Sequence, residues 1–129
     1  MNITLVLDAS AVGAYARMTT VSVGELIQVI AEDGDLVGIP ACELADVWPD
    51  LTKEERQLVT ALIDREDSPV EVLPLHGDLV PDVAAQLRRI GFGAAHTVAA
   101  VQQLGATVAT RTPRAYADLL DPDDVLPLS

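Results

Sequence analysis

The sequence predicts an α/β fold: three α/β/α layers around a mostly parallel sheet of four to five strands. Short Val-, Leu- and Ile-rich runs alternate with segments of helical periodicity along the whole chain. The first of these runs is almost continuously apolar, as a strand covered on both faces must be. At 129 residues the chain fits one domain, residues 1–129, and half of it is hydrophobic, enough to bury a core. Aromatics make up only 3%, so Ala, Val, Leu and Ile must build that core, and the composition argues against a platform of stacked aromatics for nucleic acid.

Ile3 to Leu7 is the first predicted strand, ended by Asp8, and an Ala-rich helix follows to Arg17. Ser22-Val23-Gly24-Glu25 reads as a capping box opening a helix to Glu32, with Gly34 closing it. Leu36 to Ile39 is the second strand. Pro40 then starts a short helix through Cys42, Glu43 and Val47, broken at Trp48-Pro49-Asp50. Thr52-Lys53-Glu54-Glu55 is a second capping box, ahead of Leu58, Val59, Leu62 and Ile63 at helical spacing. Val70 to Leu75 is the third strand. A helix from Asp78 or Pro81 runs to Gly91, and another spans Gly93 to Leu104, stopped by Gly105. Ala106 to Thr110 is the fourth strand, Arg114 to Leu120 a last helix, and Val125 to Leu128 a short edge strand that tolerates its proline. Strands alternating with helices imply right-handed crossovers. They also imply a working crevice beyond the carboxyl ends of the strands, at Asp8, Pro40–Glu43 and Arg111-Thr112.

A formal charge of −12 and an isoelectric point near 4.2 argue against charge-driven affinity for DNA, RNA or anionic membranes. The charge is uneven, however. Residues 83–117 contain no Asp or Glu, while Arg88, Arg89, Arg111 and Arg114 all fall there. Arg88 and Arg89 read equally as decoration of a helix C-terminus. Arg111 and Arg114 are candidates for contact with an anion, either a phosphate or a partner's carboxylates. The lone Cys42 cannot form an internal disulfide or a cysteine metal site, and it fits a reducing compartment. The apolar start is too short for a secretory core or a membrane span, so a cytoplasmic protein is expected.

Leu5-Val6-Leu7-Asp8-Ala9-Ser10-Ala11 resembles the opening of PIN-domain proteins, in particular the toxin ribonucleases of toxin–antitoxin pairs. The closing part is the stronger match. Gly93-Ala94-Ala95-His96-Thr97-Val98-Ala99-Ala100 and then Leu104 to Tyr116 resemble the family's D-A-x-H-x-A-A…G-A-x-L-V-T-R-D-P-x-A-Y pattern. The resemblance implies four acids at the strand ends, holding Mg²⁺ or Mn²⁺ for phosphodiester hydrolysis. Asp8 matches the first acid and Glu43 the second. Gly93 stands where the third belongs, and Thr112 replaces the fourth.

Half of the implied donor set is therefore absent, and any Mg²⁺ or Mn²⁺ would be held weakly through Asp8 and Glu43 alone. The expected function is a binding or regulatory module with little or no ribonuclease activity. The alternative is an active Mg/Mn-dependent endoribonuclease, the toxin of such a pair, using Asp8 and Glu43; RNA is a partner only in that case. The resemblance further implies an antitoxin-like protein partner and a homodimer. No role on DNA or at a membrane is expected.

Several residues read two ways from sequence. Asp8 suits a helix cap as well as a ligand. Glu43 is favoured in a first helical turn by the dipole alone. Ser10 either orients Asp8 or caps the helix. His96 is read as a core contact, His76 as solvated, and Asp78 and Asp82 as helix-start residues able to replace a missing acid if their loop folds inward. Tyr15 and Trp48 are read as packing residues.

Overall fold

A computed structural model describes residues 2–129. The elements are β1 (Ile3–Leu7), α1 (Ala9–Ala16), α2 (Ser22–Glu32), β2 (Leu36–Pro40), α3 (Ala41–Val47), α4 (Lys53–Asp64), β3 (Val70–Leu73), α5 (Val80–Leu104), β4 (Thr107–Thr110) and β5 (Val125–Pro127). The five strands form one sheet in the order β3-β2-β1-β4-β5, with every neighbouring pair parallel. Alternation along β1 sends Leu5 and Leu7 to a core with Val12 of α1, Ile27 of α2, Val47 of α3 and Val59 of α4. Val6 faces the other way, onto Val98 and Val101 of α5 and onto Tyr116 and Leu120. Helices thus cover both faces, and the three-layer expectation holds.

The chain winds from β1 outward to β2 and β3, then returns to lay β4 on the free side of β1. That reversal opens a crevice at the carboxyl ends of β1 and β4. It is the feature that positions the site.

Local chemistry explains most boundaries. The Thr52–Glu55 capping box forms in full, with both reciprocal hydrogen bonds. Gly105 takes the left-handed conformation (φ 65°) and stops α5, and the Ala106 N–H returns to the Val101 carbonyl, which delays β4 to Thr107. Gly91 interrupts α5 with φ 83° and ψ 171°, where two separate helices are expected.

Four further expectations are corrected. The Ser22 capping box does not form: Val21 already has helical dihedrals, its carbonyl takes the Glu25 N–H at 3.0 Å, and the Ser22 N–H and hydroxyl are bound to Thr20. β3 stops at Leu73, not Leu75, because Pro74 has no N–H to continue the ladder. The last helix is only a 3-10 turn, Pro113–Tyr116, since the N–H groups of Leu119 and Leu120 both close on the Tyr116 carbonyl instead of propagating a helix. β5 is one residue shorter than expected, ending at Pro127.

Gly38 in β2 is required by packing. A Cβ there would lie 2.6 Å from Leu73 Cδ1 and 2.8 Å from its Cγ. Gly38→Ala is expected to lower stability by about 1–3 kcal/mol through overpacking, measurable by urea unfolding.

Candidate functional site

Asp8 follows β1 directly and caps α1. Its Oδ1 accepts the Ala11 N–H at 3.0 Å and the Ser10 hydroxyl at 2.6 Å, and its Oδ2 accepts the Tyr116 phenol at 2.8 Å. The carboxylate is buried, at 3% exposure. Asp8 is thus a helix cap by geometry, and Ser10 orients it.

Glu43 comes from the first turn of α3, which begins where Pro40 ends β2. Its Oε2 accepts the Thr97 hydroxyl of α5 at 2.7 Å. Burial pushes the Glu43 carboxyl up to about 7; the nearby charges of Asp8 and Asp46 add to the rise, while Thr97 and the Ala9 N–H oppose it. The Tyr116 phenol donates to Asp8 and stands within the field of Glu43. Burial and the negative fields of Asp8 and Glu43 push its ionisation upward, so it remains a neutral donor, and Thr97 stands beside it. Each buried carboxylate thus accepts from a hydroxyl of its own, Asp8 from Tyr116 and Glu43 from Thr97.

A chain of hydroxyl groups leads outward from Asp8. The Ser10 hydroxyl lies 3.3 Å from the Thr110 hydroxyl, which lies 3.2 Å from that of Thr112. The Arg111 N–H donates to Ser10 at 2.9 Å and the Thr112 N–H to Thr110 at 3.0 Å. Thr112 therefore reaches the acids only through Thr110 and Ser10. Arg111 and Arg114 are exposed at this rim, and among the described residues neither forms an ion pair.

Gly93 lies in the wall of the same pocket. A Cβ on it would come within 2.5 Å of Glu43 Oε1 and closer still to Asp46 Oδ2. His96 is fully buried, its Nδ1 accepting the Cys42 N–H at 3.4 Å, which ties the start of α3 to α5; burial lowers its basicity. Asp78 and Asp82 do not fold inward: both are exposed, and Asp78 pairs with Gln103 at 3.3 Å. His76 is exposed, as expected. Trp48 packs partly into the core with Arg56 over its ring at 5.7 Å, and Tyr15 packs against the same core.

Sequence reading missed three members of the site: Asp46, Thr97 and Tyr116. A signal existed for two of them. Glu43-x-x-Asp46 and Gly93-x-x-x-Thr97 each put two residues on one helical face.

Two carboxylates of the site are buried, Asp8 and Glu43. Among the described residues no group of three or more His, Cys, Asp or Glu side chains is placed to share one. Asp8 Oδ1 accepts from two protein donors and Oδ2 from one, which leaves a lone pair on Oδ2. No helix among the described residues is long and apolar enough to cross a membrane.

No family model matches the sequence, and no curated protein matches it. Among solved structures, the chain is similar to the crystal structure of Mycobacterium tuberculosis VapC20, a toxin that cleaves the sarcin–ricin loop. The TM-score is 0.63 at 18% identity, covering 91% of this chain and 97% of that one. The backbone layout and the PIN-like sequence pattern agree, and the chain has the fold of a PIN domain.

Proposed function

We propose that this chain is a PIN-fold binding or regulatory module of the cytoplasm, with little or no ribonuclease activity of its own. The observation that supports this reading is how far Asp8 is engaged by the fold: Ser10 and Ala11 both donate to Oδ1 and Tyr116 donates to Oδ2, which leaves one Oδ2 lone pair for a cation. A catalytic carboxylate in metal-assisted hydrolysis must keep lone pairs free for the ion. The partner is a protein, an antitoxin-like chain or a second copy in a homodimer. The exposed Met18, Val21 and Val29 offer apolar contact area, and Arg111 and Arg114 offer free cations for a partner's carboxylates.

One observation favours a second reading. Asp46 brings another carboxylate beside Glu43, and a Mg/Mn-dependent endoribonuclease, a toxin like VapC20, would draw on Asp8, Glu43 and that added charge. Calorimetric titration with Mn²⁺, paired with incubation of structured RNA, separates the two. The proposed function predicts no stoichiometric micromolar binding and no cleavage. Micromolar, one-to-one binding lost in Asp8→Asn, with Mn²⁺-dependent cleavage lost in the same variant, establishes the nuclease instead.

A further inference from the structure

We infer that Asp46 fills the room a side chain at position 93 would need, so that Gly93 and the two α3 carboxylates form one interlocked unit and the pocket's outer acid comes from α3. Glycine is the poorest ordinary residue for a helix interior, so its presence at 93 calls for a cause. Conformation does not supply one: within α5 only Gly91 departs from helical dihedrals. Room does. An added Cβ would stand within 2.5 Å of Glu43 Oε1, closer still to Asp46 Oδ2 and 3.2 Å from Asp46 Cγ. Glu43 cannot withdraw, because it is 4% exposed and held by Thr97 at 2.7 Å. Asp46 is exposed and is the member that must yield.

Position 93 is thus not an acid site left vacant. A carboxylate one turn further along α3 occupies the same volume, and returning an acid to 93 would set it against Asp46. This inference rests on the PIN-fold reading of the pocket, but it makes a separate demand on stability.

The test is a double-mutant cycle read by thermal unfolding. Helix propensity alone predicts that Gly93→Ala raises Tm. The interlock predicts a fall of about 5 °C or more, from overpacking. In the Asp46→Ala background the same Gly93→Ala change is expected to lower Tm by clearly less, because only the Glu43 Oε1 contact remains. Equal effects in the two backgrounds, or a rise in both, would overturn the inference. A second readout is Mn²⁺ binding followed by electron paramagnetic resonance. Gly93→Asp with Asp46→Ala should bind at least tenfold more tightly than Gly93→Asp alone, and equal binding by the two counts against the interlock. Tight Mn²⁺ binding by the unaltered chain would sink the proposed function, whereas the Tm cycle would still decide the interlock.

Discussion

Glu43→Gln is expected to stabilise the protein at pH 8 and to leave it nearly unchanged at pH 4. In the folded chain the Glu43 carboxyl sits at about 7 against an ordinary value of 4.5. A carboxyl raised by folding favours the folded state only while protonated. Its contribution is whole below about pH 4.5 and is lost as pH rises through about 7. The difference corresponds to roughly 3 kcal/mol by linkage. Glutamine keeps the shape and cannot ionise, so the variant should escape that loss. Urea unfolding at pH 4, 6 and 8 is the measurement. The native chain should lose stability relative to the variant between pH 4 and 8. Parallel pH profiles would mean that folding does not raise the Glu43 carboxyl.

Asp8→Ala is expected to destabilise by roughly 3 kcal/mol, combining a lost helix cap with a buried phenol stripped of its acceptor. In a chain of this length that is a fall in Tm of about 10 °C. Relief of repulsion on Glu43 acts in the opposite direction, since Asp8 contributes to its raised pKa. The sign is therefore diagnostic. A carboxylate kept only for ligating an ion is strained without one, and its removal would raise Tm. A carboxylate built into the fold lowers Tm when removed. Tyr116→Phe should show a smaller loss, because the ring still fills its place and only one donor to Asp8 disappears.

The sheet was largely legible in the sequence because its signals are local. The unbroken apolar run of Ile3–Leu7, the reciprocal Thr52–Glu55 cap and the left-handed Gly105 each act within a few residues. Asp8 and Glu43 were also readable, as acids placed directly after a strand and in a first helical turn. The remainder of the pocket depends on contacts that no local signal encodes. Thr97 meets Glu43 across 54 positions, and Tyr116 meets Asp8 across 108. The helix expected near the C-terminus fails to form for the same reason. Helical periodicity in Arg114–Leu120 gives way to a segment that buries Tyr116 against a distant acid. Asp46, exposed on α3, carries no mark in the sequence beyond its spacing from Glu43.

The strand order has a consequence for how the molecule is made. β1 leaves the ribosome first, yet its second neighbour, β4, begins only at Thr107. Until that late strand docks, the central strand has one edge bare and Asp8 waits without its phenol. Non-local pairing of this kind is slow to form and leaves a nascent chain open to association with other surfaces. The pocket therefore closes around Asp8 only when the C-terminal part of the chain, with Tyr116, is in place.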